Sequence, residues 1–162
     1  MSSRGAEVSE AAMEFLLSQI LQMDSFDSPQ ASLEDINLKY GSMGEHIGWK
    51  LSEKLGGKHS FATGAPLDRV KFICKEFWEF IFGKKIDKLQ TNHRGVFVLQ
   101  DLKFKWMNRY ICDDDTSMRM IEKMMMFVCG AIKGALENFG LKCSVNADYK
   151  TFPLCAFNIK TI

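Results

Sequence analysis

The sequence predicts an α+β fold: an antiparallel four-stranded sheet, built as two hairpins, covered by four main helices in the order ααα-ββ-α-ββ. Three observations carry this. Apolar residues recur at i, i+3, i+4 and i+7 through the first half of the chain. The period drops to two at residues 89–100, around an Asn92-His93-Arg94-Gly95 turn. It returns to helical spacing over 116–139 and drops to two again in the last twenty residues.

Residues 1–7 are expected to be disordered, with one domain over 8–162. The first helix spans Val8–Met23, with Ser9 as a candidate N-cap. Ala12, Phe15, Leu16, Gln19 and Ile20 follow one helical row, and Met13, Leu17 and Leu21 widen it onto a second face. The polar stretch 24–32, with Pro29, reads as a linker. A second helix covers 33–55, where Met43, Ile47, Leu51 and Leu55 step by four along one face. Gly41, Gly44 and Gly48 lie inside it, each costing up to about 1 kcal/mol relative to Ala unless another helix approaches closely. Gly56-Gly57 ends it.

Pro66 suits the first turn of a third helix, the central one, with a stripe of Leu67, Val70, Ile73, Cys74, Phe77, Trp78 and Ile81. Phe72, Phe80 and Phe82 fill its other faces, and Gly83 ends it. Strands at 89–91 and 96–100 form the first hairpin, with Gly95 at the positive-φ position. Residues 101–116 read as irregular, ending in Asp113-Asp114-Asp115 at the N-terminus of the fourth helix, where its dipole favours carboxylates. Ile121, Met124, Met125, Val128, Ile132, Ala135, Leu136 and Phe139 line one face of that helix, and Lys133 and Glu137 can pair on the other. Its Gly130 and Gly134 are expected to press against the sheet. Cys143, Val145, Ala147 and Tyr149 alternate on one strand of the second hairpin, and Cys155, Phe157 and Ile159 on the other.

Composition narrows the function. A net charge of +1 gives no global field for nucleic acid. Lysines do cluster at 84, 85 and 88 and at 103 and 105, which suits a solvated face or at most a peripheral membrane contact. Five cysteines without a CxxC pair fit buried thiols in a reducing compartment, with Cys112 alone in a polar loop. Met1-Ser2-Ser3-Arg4-Gly5 leads into no apolar run, so no signal peptide is expected, and Ser2 excludes myristoylation. The longest apolar run, Met124–Ile132, is nine residues, against about 20 for a membrane span.

Chemistry is sparse. His46, His59 and His93 are isolated, HExxH and GxSxG are absent, and Gly57-Lys58 leads to His59 rather than the Ser or Thr of a phosphate-binding loop. No catalytic residue, cofactor or metal site is expected. The methionines at 118, 120, 124, 125 and 126 have the spacing of core or groove lining. The sharper reading is interaction. Phe15, Leu16, Ile20, Leu21, Met43, Ile47 and Trp49 either line a partner interface or fill this chain's own core, with Phe15 and Trp49 the best anchors.

Four stretches in order resemble a known family. They are Leu67–Trp78, Thr91–Asp101, Phe127–Leu136 with Leu141–Ile159, and Met43–Gly48. They resemble the small subunits of the TRAPP (transport protein particle) complex over most of residues 10–160, and the Thr91–Asp101 hairpin resembles its subunit 6-type. The resemblance implies a non-catalytic scaffold that heterodimerises with a subunit 3-type partner, a homodimer being possible in isolation. It implies a cytoplasmic place at Golgi and ER membranes, in a complex that tethers vesicles and exchanges nucleotide on a Rab GTPase. The alternative is a module that binds an apolar small molecule or acyl chain. In the subunit 3-type a cysteine near the start of the third helix is acylated. That position falls near Thr63 here, with Cys74 about three turns further on, so acylation is not expected. The segment Lys103–Asp115 is richer in charge and aromatics than the family pattern.

Overall fold

Ser32 starts the first well-framed helix. Its hydroxyl accepts from the Asp35 backbone N–H at 3.2 Å, and the Asp35 carboxylate accepts in return from the Ser32 N–H at 3.0 Å. This capping box satisfies two of the donors that a helix start leaves open. Helix α1 then runs Leu33–Gly56 and stops at Gly57, which stays right-handed at φ −58°. The computed structural model describes Phe15 and residues 18–20, 32–57, 64–92, 94–110, 115–151 and 153–162. Phe15 and residues 18–20 are helical, inside the first expected helix. The expected disordered residues 1–7, the Ser9 cap, His59, His93 and Cys112 lie outside the described residues.

The third expected helix is one rod in three parts: α2 (Pro66–Phe72), a π-helical turn (Ile73–Phe77) and α3 (Trp78–Phe82). The Cys74 carbonyl accepts from the Ile86 N–H at 2.9 Å, which ties the rod to the chain entering the sheet. Gly83 (φ 67°) ends it in the left-handed conformation that a C-terminal glycine allows. Val70, Ile73, Cys74, Phe77 and Trp78 of the expected stripe are buried, while Phe80 faces outward.

Strands β1 (Lys88–Thr91), β2 (Val96–Asp101), β3 (Cys143–Asp148) and β4 (Cys155–Thr161) form one antiparallel sheet in the order β1-β2-β4-β3. The two hairpins join through β2 and β4, with Leu99 opposite Phe157 and Asp101 opposite Cys155. Gly95 has φ 85°, as the turn demands. Phe97, Leu99, Cys155, Phe157 and Ile159 are buried on the helix-covered face.

Two expectations need correction. Residues 101–116 are not simply irregular: Lys105–Tyr110 form a 3₁₀ helix. It helps carry Phe104, Trp106 and Met107 into the core. There Phe82 meets Trp106 at 4.5 Å and Trp78 at 4.2 Å between ring centroids. Such ring packing is worth about 0.5–1.5 kcal/mol per pair beyond area burial. Second, Gly130 and Gly134 of helix α4 (Asp115–Asn138) do not press against the sheet. They face α1. A Cβ on Gly130 would stand 3.0 Å from the Glu45 nitrogen, and one on Gly134 would stand 2.7 Å from the Glu45 carbonyl carbon. Gly44 and Gly48 of α1 face Phe127 and Ala131 in return. The two 24-residue helices therefore touch backbone to backbone.

Candidate interaction surface

The glycine seam decides what α1 leaves outside. Its buried row is Ile36, Tyr40, Gly44, Gly48 and Ser52. Ser52 is held there by the Asn138 side-chain amide, which donates to its hydroxyl at 2.8 Å. Lys133 of α4 pairs with Glu45 of α1, and Glu137 lies 4.0 Å from the same ammonium. Burial costs Lys133 less than the Glu45 hydrogen bond returns, so its pKa is raised, with that bond the largest cause.

The apolar row Met43, Ile47, Leu51 and Leu55 lies on one flank of that seam. Met43, Leu51 and Leu55 pack only partly against the core, and Ile47 is 41% exposed. With His46, Lys50 and Lys54, Ile47 and Leu51 line an open depression of about 300 Å³. Lys54 extends it toward α3 by lying 5.9 Å over the exposed Phe80 ring.

Trp49 sits elsewhere. Two residues on from Ile47 is about 200° around a helix, so the two do not share a patch. Trp49 is 40% exposed, and its indole N–H donates to Glu53 at 3.1 Å. Three turns back on its side is Leu38, 73% exposed. Of the other expected interface residues, Phe15 is 60% exposed and Ile20 half-buried, while Leu16 and Leu21 lie outside the described residues. Sequence reasoning overlooked Leu38 and Phe80. Leu38 falls off the four-step apolar row, and Phe80 was counted among residues filling the faces of a core helix. A large apolar residue out of phase with its helix's main stripe was the available signal.

The four described cysteines are buried and free. Burial pushes the thiols of Cys74, Cys129 and Cys155 up to about 12 and that of Cys143 up to about 11. Neutral thiols out of water are poor nucleophiles. Native protein treated with iodoacetamide at pH 8 should take up at most one alkyl group, at Cys112. Unfolded protein should take up five, read as intact mass. Cys74 is thus sealed in the core rather than presented for acylation, and Thr63 lies outside the described residues. Among the described residues no group of three or more His, Cys, Asp or Glu could hold a metal ion, and no helix is long and apolar enough to cross a membrane.

Residues 13–162 match the family described as transport protein particle (TRAPP) component. The chain belongs to the TRAPP family. It is 36% identical over 151 residues to trafficking protein particle complex subunit 6b of Danio rerio, covering 93% of this chain and 95% of the relative. It is 39% identical over 121 residues to subunit 6B of Mus musculus, covering 75% of each. It is 34% identical over 120 residues to subunit 6A of Homo sapiens, covering 72% of each. These relatives make it a subunit 6-type TRAPP component. The crystal structure of subunit 3 from Naegleria fowleri, covalently bound to palmitic acid, shares the fold at a TM-score of 0.75. That likeness covers 95% of this chain and 97% of the other at 15% identity.

Proposed function

We propose that this TRAPP component is a non-catalytic scaffold that heterodimerises with a subunit 3-type chain. Through the assembled complex it serves vesicle tethering and nucleotide exchange on a Rab GTPase in ER-to-Golgi and Golgi traffic. On this reading it is cytoplasmic and peripheral to those membranes. One observation carries the proposal: α1 spends its small residues on its own fold and leaves Met43, Ile47 and Leu51 on one flank and Leu38 and Trp49 on the other. A helix with unburied apolar residues on two flanks is built to be covered by more than its own chain. Phe15 and Ile20 of the N-terminal segment, with Leu16 and Leu21, belong to the same proposed interface.

A standard interface buries about 800 Å² per partner and concentrates its energy in a few large side chains. Co-expressed with a subunit 3-type chain, the protein should elute from size exclusion as a 1:1 complex. Ile47→Asp should weaken that complex by at least about thirty-fold, the size of a hot-spot loss. Trp49→Ala should weaken it as well. Wild-type protein that stays monomeric and ignores the partner would remove the proposal's support.

A further inference from the structure

The side chains around the Ile47–Leu51 depression that carry charge or can gain it are of basic type. The flank carrying Met43, Ile47 and Leu51 also carries Lys39, His46, Lys50 and Lys54, four residues of basic type. Glu45, Trp49 and Glu53 follow the next row around the helix, from which Glu53 reaches back to Lys50 at 3.2 Å. We infer that the Ile47–Leu51 depression receives an amphipathic helix whose apolar ridge is edged with carboxylates, and that His46, Lys50 and Lys54 select it by charge. The inference rests on the heterodimer reading and names the partner's chemistry.

Three features support an acidic occupant. The depression is apolar at its floor, where Ile47 and Leu51 stand four residues apart, the spacing a helical ridge fills. Its rim is cationic: Lys50 and Lys54 are exposed. At this rim Lys50 pairs with Glu53 at 3.2 Å, and both side chains are exposed. Water screens such a pair, so Lys50 keeps most of its attraction for a second carboxylate. Lys54 rests on the Phe80 ring, which orients it without neutralising it.

A second copy of this chain fits poorly. A two-fold dimer burying this flank sets the same surface against itself, so that its cations meet cations. Like charges across an interface are penalised, and complementary ones raise the association rate. The basic rim thereby favours a different partner over self-association.

The test uses two 20-residue amphipathic helical peptides with one leucine stripe, one edged with glutamate and the other with lysine. Binding is followed on the Ile47 and Leu51 methyl NMR signals at 50 mM and 500 mM salt. The glutamate peptide should bind about ten-fold more tightly at low salt, and high salt should erase most of that preference. K50E/K54E, altering only exposed side chains, should reverse it. Equal binding of the two peptides, binding away from these methyls, or no binding would overturn the inference. If charge preference is absent while the subunit 3-type chain still co-purifies, the inference falls and the scaffold reading stands. If the preference holds while co-purification fails, the scaffold reading falls alone.

Discussion

Gly48→Ala should destabilise the fold by about 2 kcal/mol, although alanine is the better helix former. The added Cβ would stand 2.7 Å from the Ala131 carbonyl carbon and overlap its oxygen. Both are main-chain atoms of α4, so no rotamer change relieves the overlap. The two helices must separate along their shared seam, as overpacked cores do at a cost of about 1–3 kcal/mol and occasionally more. The gain of about 1 kcal/mol from replacing glycine inside a helix offsets only part of this. For a chain of this size the melting temperature should fall by roughly 6 °C. Gly41→Ala supplies the opposite sign. Nothing lies within 4 Å of a Cβ there, so the helix-propensity gain should survive and the protein should be stabilised by about 0.5–1 kcal/mol. Thermal unfolding of both variants, followed by circular dichroism, separates contact at the seam from glycine flexibility. A stabilised Gly48→Ala variant would mean that α1 and α4 do not touch as described.

The same glycines mark where the sequence stops being legible. The strands, both hairpins and α4 were visible because side chains record their surroundings: Phe97, Leu99, Phe157 and Ile159 alternate, and Met124, Val128 and Ile132 step by four. The α1–α4 seam is built from residues with no side chain, so apolar periodicity could register only the flank row of Met43, Ile47, Leu51 and Leu55. The sequence leaves open whether that face belongs to the core or to an interface; in the fold it is partly open. Glycines at two separated positions in each helix permit close approach, but their partner is not named by either segment alone. The 3₁₀ helix was missed for a related reason. Lys103, Lys105 and Arg109 give residues 102–110 a polar look, while Phe104, Trp106 and Met107 between them are buried, a pattern of neither helical nor strand period. Of the proposed interface, the α1 residues were readable as apolar. Their division between two flanks was not, because it depends on which face α4 covers.

Asp101→Ala should be the most damaging polar substitution. Asp101 ends β2 fully buried. One carboxylate oxygen accepts from the Trp78 indole N–H at 3.0 Å. The other accepts from the Lys84 ammonium and from the Lys103 backbone N–H, the latter at 3.0 Å. Lys84 also donates to Asp87 at 3.0 Å, and Asp87 accepts from the Leu102 N–H at 2.7 Å. One carboxylate thus joins α3, the approach to β1 and the turn after β2. Its loss strands the Trp78 donor in the core and leaves Lys84 with one partner. Breaking a buried pair costs about 3–5 kcal/mol, and Lys84's partial exposure sets the expectation at about 3. Lys84→Met should cost less than Asp101→Ala, because Trp78 and the Lys103 N–H still hold the aspartate. The cluster also predicts a pH profile. Burial is the largest single influence on Asp87 and raises its pKa, but the Leu102 N–H and Lys84 outweigh it and hold the carboxyl below its ordinary value. A depressed carboxylate stabilises the fold above its unfolded pKa of about 3.9, and that contribution fades as pH falls through the lower folded value. Burial is likewise the largest influence on Lys84 and lowers its pKa, but Asp101 and Asp87 together raise it above 10.5. That contribution is complete below 10.5 and disappears as pH rises past the folded value. Urea unfolding from pH 3 to 11 should therefore show wild-type stability falling away below about pH 3.9, as Asp87 protonates, and above about pH 10.5, as Lys84 loses its proton. A Lys84→Met variant with an unchanged profile would mean that this ammonium sets no part of it.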